Sequence, residues 1–154
     1  MFLEDAYLII KIPMFSFSIR KQQFNPFKIY ASDVGMRNAV SFRFAQDIGK
    51  VYENVVAIEL GKENIFYWKS SKHEEVDFVV KEGTKIKQLI QVCYDADDAI
   101  TRNREIKALI KASKELKCSS LLVITEDKEV EEKLKGKRIK HIPLWKWLLE
   151  KNAR

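Results

Sequence analysis

Cysteine is scarce: Cys93 and Cys118 are the two in 154 residues. They lie too far apart in the chain to form the close-spaced pair of a zinc or redox motif, and the expectation is a reduced chain in the cytoplasm. Long apolar runs are missing too. Leu121-Leu122-Val123-Ile124 is among the longest, far short of the ~20 residues a membrane helix requires, so no membrane partner is expected. The opening residues mix Glu4 and Asp5 with apolar ones and have no basic stretch, which argues against a secretory signal. With five glycines and three prolines there is no linker, repeat or low-complexity tract. Nowhere does Gly-x-x-x-x-Gly-Lys-Ser/Thr occur, so no ATP site of the P-loop kind is expected in this chain.

The residues that are present make up a globular chain. Hydrophobic residues form 46% and charged residues 32%, the balance of one folded domain. At this length folding buries roughly two thirds of the unfolded surface. The net charge is +6 and unevenly spread. From residue 128 to the end, nine basic residues (Lys128, Lys133, Lys135, Lys137, Arg138, Lys140, Lys146, Lys151, Arg154) face four acids (Glu129, Glu131, Glu132, Glu150). Such a segment either attracts phosphate backbones or is a solvated lysine-rich surface, and composition leaves both open.

Residues 6–19 alternate loosely around Pro13, as two short strands would, and Lys28-Ile29-Tyr30 reads as a brief strand. Residues 42–60 have helical spacing at Phe44, Ile48, Val51, Val55 and Ile58, closed by Gly61 and weakened in the first half by Gly49. Strands are expected at 65–68, 75–80 and 89–93, then an amphipathic helix at 99–116 and a buried strand at 119–125. A short helix at 128–134, a strand at 138–142 and a helix at 144–149 complete the chain. A three-strand meander followed by a helical crossover predicts an α/β fold, a mixed β-sheet flanked by helices on both faces.

The most informative stretch is the hairpin of 75–93. Asp77 shares a strand face with Glu75, while Val76, Phe78 and Val80 are expected on the other face; Gln91 holds the matching polar slot fourteen positions on. A carboxylate pinned among apolar neighbours is costly to desolvate unless it binds something. Asp, then Glu/Gln-x-Lys on the next strand, resembles the PD-(D/E)XK nuclease superfamily, with Cys93 standing where the lysine is expected. The resemblance implies a restriction-endonuclease-like αβββαβ core. It also implies an acid on the preceding helix, where Glu53 falls.

Several short strings arriving in order narrow the resemblance: Ile29-Tyr30-Ala31-Ser32-Asp33-Val34-Gly35, Val51-Tyr52-Glu53-Asn54-Val55-Val56, Ile65-Phe66-Tyr67-Trp68, Glu74-Glu75-Val76-Asp77-Phe78-Val79, Arg104-Glu105 and Pro143-Leu144-Trp145-Lys146-Trp147. Together they resemble the C-terminal domain, of unknown function and nuclease-like fold, of archaeal and bacterial AAA-type ATPases. Residues 28–154 would form that domain. Residues 1–27 resemble the end of the winged-helix segment before it.

By the resemblance, Glu53 and Asp77 would hold Mg²⁺, with Gln91 offering a neutral oxygen. A lysine would stabilise developing charge. Cys93 cannot replace it, because a thiol is mostly neutral at pH 7, so a displaced lysine is sought at Lys69, Lys72 or Lys107. Arg104, Lys107, Lys137, Arg138 and Lys140 are the expected nucleic-acid contacts. Each residue also has a plainer reading. Glu53 alone is a surface acid on a helix, Arg104 and Glu105 form a local ion pair worth little, His141 sits at the basic edge, and Trp145 and Trp147 dock the last helix. The expected function is a nuclease-like, DNA-binding domain of an ATPase family with a weak or inactive Mg²⁺-dependent endonuclease site. The alternative is a non-catalytic interaction or regulatory module, with an ATPase module or a second copy as partner.

Overall fold

Runs of β-branched and aromatic residues become strands here, and 3.6-periodic runs become the helices that cover them. The computed structural model describes residues 2–40, 48–61, 63–95 and 98–152. Residues 42–47 of the expected long helix, Phe44 included, and Arg154 lie outside them. In chain order come α1 (Phe2–Asp5), β1 (Ile9–Pro13), α2 (Ile19–Phe24), β2 (Phe27–Ala31), α3 (Val34–Val40) and α4 (Ile48–Leu60). There follow β3 (Ile65–Lys69), β4 (Glu75–Glu82), β5 (Lys85–Val92), α5 (Ala99–Glu115), β6 (Leu121–Thr125), β7 (Val130–Leu134), β8 (Lys137–Pro143) and α6 (Leu144–Asn152). No helix among the described residues is long and apolar enough to cross a membrane.

Six strands form one mixed sheet in the order β3-β4-β5-β6-β8-β7. β3, β4 and β5 are antiparallel, β5, β6 and β8 are parallel, and β7 returns antiparallel at the edge. The expected mixed sheet is therefore present, with β4 and β5 adjacent and antiparallel. α5 makes the crossover that parallel strands require. Its first turn is capped by Asp98, whose carboxylate accepts the backbone N–H groups of Ile100 and Thr101. Ile106, Leu109 and Ile110 of α5 pack on one sheet face with Val76, Val79, Leu89, Leu121, Val123 and Ile139. Val56 and Ala57 of α4 and Leu144 and Trp147 of α6 cover the other, with Phe78, Ile90, Leu122, Ile124 and Ile142.

β1 and β2 make a separate two-stranded sheet. It meets the large one through a bridge between Met14 and Tyr67 and through the Phe15 N–H, which donates to the Tyr67 carbonyl at 2.7 Å. The outer edge of β2 is closed by a side chain: Asn54 of α4 accepts from the Ala31 N–H and donates to the Ala31 carbonyl, both at 2.9 Å. An amide is the one side chain that imitates both halves of a strand partner.

Three expectations are corrected. Residues 15–19 do not form a second strand; the chain bends at Phe17 and Ser18 and α2 starts at Ile19. Residues 128–134 hold no helix. Val130, Glu132 and Leu134 alternate against β8, and Lys135 and Gly136 at φ 48° and 78° make a two-residue hairpin tip, the left-handed pair such a turn requires. On β4 the simple alternation fails: Phe66 and Trp68 on β3 face Val79 and Val76, so β4 carries one extra residue between them. This bulge sends Val76 to the α5 side and Phe78 to the α4 side, and Asp77 sits within it.

Candidate functional site

Bulges re-aim side chains, and Asp77 is aimed into a crowded polar knot. The strands separate at this end, and side chains take over the ladder. The Asp77 N–H donates to Gln91 Oε1 at 3.2 Å, and the Val92 N–H donates to Asp77 Oδ2 at 3.0 Å. Asp77 is 7% exposed and Gln91 4%. From β2, Lys28 reaches in. Its Nζ donates to Glu53 Oε1 at 2.8 Å and Asp77 Oδ1 at 2.9 Å, and lies 2.7 Å from Glu75 Oε1. An ammonium has three hydrogens; two are given to carboxylates of α4 and β4, and a third carboxylate, Glu75, lies in ion-pair contact. The Tyr30 hydroxyl donates to the same Glu53 oxygen at 2.6 Å.

Electrostatics follow from this burial. Burial pulls the Lys28 ammonium down, but the Asp77 and Glu53 carboxylates outweigh it and hold Lys28 protonated, well above the ordinary lysine range. Burial and the Glu53 charge push the Asp77 carboxyl up to about 7, against the pull of Lys28 and the Val92 N–H. Both Asp77 oxygens accept N–H donors, so the bonded form is the carboxylate. Burial also raises the Tyr30 hydroxyl far above its usual value, so it acts here as a donor.

The expected residues divide. Glu53, Asp77 and Gln91 line one cleft of about 750 Å³, together with Glu75, Cys93, Lys72, Arg104 and Glu105. Gln91 spends its amide within the protein, its oxygen on the Asp77 N–H and its nitrogen on Glu105. Lys69 does not line the cleft; its side chain is 39% exposed and lies 3.4 Å from Glu75 Oε2. Cys93 is 4% exposed and burial pushes its thiol up to about 11, so it supplies no charge. Arg104 borders the cleft but its guanidinium pairs with Glu105 at 2.7 Å. Lys28, Tyr30 and the Glu75 carboxylate are the participants the sequence reading missed. The alternation of Phe27-Lys28-Ile29-Tyr30 puts Lys28 and Tyr30 on one face, which was the available signal, but their partners lie up to 49 residues away.

The resemblance implies Mg²⁺ at Glu53 and Asp77, and the residues as arranged do not fit it. The ammonium nitrogen stands between those two carboxylates. Its contacts of 2.7–2.9 Å are hydrogen-bond distances, about 0.7 Å longer than Mg²⁺–oxygen bonds of about 2.0–2.1 Å. Among the described residues no three His, Cys, Asp or Glu side chains form a group able to hold a metal ion.

Two basic surfaces are separated. Arg104, Lys107, Lys111 and Lys114 recur at intervals of three and four, so they share one face of α5, opposite its buried Leu109. From Arg104 to Lys114, ten helical steps carry them over ~15 Å, starting at the cleft. Lys111 is paired with Glu74, whose carboxyl is held low mainly by that bond. Lys137 and Arg138 stand at the start of β8, at the end of the parallel strands opposite to Gln91 and Cys93. Acids face much of this segment: Arg138 lies 3.8 Å from Glu131, Lys140 3.4 Å from Glu150 and Lys146 2.6 Å from Glu129. His141 is buried in β8 rather than at a basic edge; its Nε2 is 2.8 Å from Glu132, which also pairs with Arg102 of α5. Trp147 is buried and docks α6, whereas Trp145 is exposed.

Residues 48–147 match the family described as Domain of unknown function (DUF4143), and the chain belongs to that family. The matched span runs from α4 into α6 and contains Glu53, Asp77, Gln91 and Cys93; Lys28 and Tyr30 precede it. No curated protein and no solved structure matches the chain.

Proposed function

We propose that the chain is a nucleic-acid-binding domain of restriction-endonuclease-like fold whose cleavage site is weak or inactive, and that DNA lies along α5. The helix–three strands–helix–strand order from α4 to β6 supports the fold reading, with the acid of α4 and the acid of β4 meeting where that fold would place them. The observation that carries the binding reading is the row of Arg104, Lys107, Lys111 and Lys114 leading to the mouth of the cleft. Cations in a line along a helix match phosphates without reading bases, so binding is independent of sequence. Loss of cleavage follows from the chemistry of the cleft. The neutral Cys93 stands where charge would be stabilised, and Lys28 is fully committed to carboxylates.

The test is duplex binding by fluorescence anisotropy over a salt series. The expected log–log slope is about −3 to −4, from three or four phosphate contacts at about 0.9 each. Binding that is absent at low salt, or indifferent to it, overturns this reading. It would favour the second one, a protein-interaction module working with an ATPase or another copy. That reading has its own observation: Phe17, Ile19, Phe24 and Ile29 of the first 29 residues are all more than half exposed, which is unusual for large apolar side chains close together in sequence.

A further inference from the structure

We infer that Lys28 is the resident cation of the acidic cluster, holding α4, β2 and β4 together without a divalent metal and keeping such a metal out. A bound metal in a carboxylate site does two things: it cancels the mutual repulsion of the acids and it fixes their directions. The Lys28 ammonium does both. Glu53 arrives from a helix, Glu75 and Asp77 from the bulged end of β4, and each places one oxygen within 2.9 Å of the same nitrogen. Its side chain is 18% exposed, so the cation is largely withdrawn from water, where its attraction for the acids is strongest. Two of the three remaining oxygens are engaged as well: Asp77 Oδ2 by the Val92 N–H and Glu75 Oε2 by Lys69 at 3.4 Å. Tyr30, two residues along the same strand, donates to Glu53 and fixes β2 beside the cluster.

The strand that brings Lys28 is not part of the six-stranded sheet. Its register is set by β1 and by the Asn54 clamp on Ala31. Lys28 therefore reaches the acids from a separate layer, and it lines a neighbouring cavity of about 340 Å³ that shares Glu53 and Glu75 with the cleft. Three carboxylates around one ammonium still leave an excess of negative charge. Removing the lysine charge would leave acids that repel each other and whose oxygens need to close by under an ångström to grip a metal.

Isothermal titration calorimetry with Mg²⁺ and with Mn²⁺ tests this on the whole chain. Wild type is expected to give no saturable heat, and its melting temperature is expected to stay unchanged in millimolar Mg²⁺. Lys28→Met is expected to gain saturable binding that Asp77→Asn, added to it, removes, while Lys28→Arg, which keeps the charge, stays blind to metal. Saturable binding by wild type that Asp77→Asn abolishes overturns the inference, and this arm stands even where Lys28→Met does not fold. A folded Lys28→Met that binds neither metal overturns it too. Its failure is distinguishable from failure of the nucleic-acid reading, because no nucleic acid enters the titration.

Discussion

Lys28→Met is expected to lower the stability of the domain by about 3–5 kcal/mol, the range found when one partner of a buried ion pair is removed and the other is left behind. Three acids lose their common partner in this case. Two of them, Glu75 and Asp77, are two residues apart on one strand, so their repulsion has no easy relief. For a chain of 154 residues this corresponds to a fall of about 10 °C in melting temperature. Lys69→Met, which removes a longer and more exposed contact to Glu75, is expected to cost less than about 1 kcal/mol. The contrast matters more than either value, since both variants delete one ammonium near the same glutamate. Thermal melts that give Lys28→Met and Lys69→Met the same midpoint would show that the Lys28 cluster is solvated rather than structural. Adding Asp77→Asn to Lys28→Met should recover part of the loss, because one unpaired charge goes with it.

The second large effect is on binding. The double charge reversal Lys107→Glu with Lys114→Glu is expected to weaken duplex affinity about a hundred-fold or more at 0.1 M salt. Each phosphate contact contributes about 0.9 to the salt slope, hence about a decade relative to 1 M salt, and reversal adds repulsion to the loss. The slope itself should fall by about two. Lys137→Glu with Arg138→Glu removes as much charge from the far end of β8, where Arg138 already faces Glu131; it should change affinity by less than ten-fold. Both substitutions fall on exposed or partly exposed side chains, so folding should survive. Equal losses from the two pairs would mean that net charge, and not the α5 surface, drives association.

Much of the architecture could be read along the chain because its signals are local. The alternation of 75–93 yielded the β4–β5 hairpin, and the apolar spacing of 99–116 yielded α5 nearly to its ends. β7 was misread because Val130 and Leu134 are four apart, which suits a helix as well as one face of a strand; the deciding signal was the Lys135-Gly136 tip. The bulge at Asp77 could not be read at all. It arises from how β3 pairs with β4, and no pattern within β4 records it.

The site was legible in part for the same reason. Asp77 and Gln91 are marked by the hairpin pattern and Glu53 by the resemblance, and the three line one cleft. Lys28 is marked by neither, since its role depends on β2 folding back against α4 and β4 from far away in sequence. A lysine and a tyrosine alternating with Phe27 and Ile29 on a short strand carry too little information to name their partners. The charge count over the C-terminal segment does not show the neighbours of each residue. Charge counted along a chain ignores the Glu131, Glu129 and Glu150 that strand and helix pairing place opposite Arg138, Lys146 and Lys140.

Under the proposed function the domain holds DNA and leaves it intact. The most direct measurement incubates the protein with supercoiled plasmid at low salt in Mg²⁺, in Mn²⁺ and in EDTA, and reads retarded and nicked species on gels run before and after deproteinisation. The account predicts retardation in all three and, once protein is removed, plasmid still supercoiled. Metal-dependent nicking by wild type that Asp77→Asn abolishes would contradict it, because a divalent ion would then be working at the place the Lys28 ammonium holds.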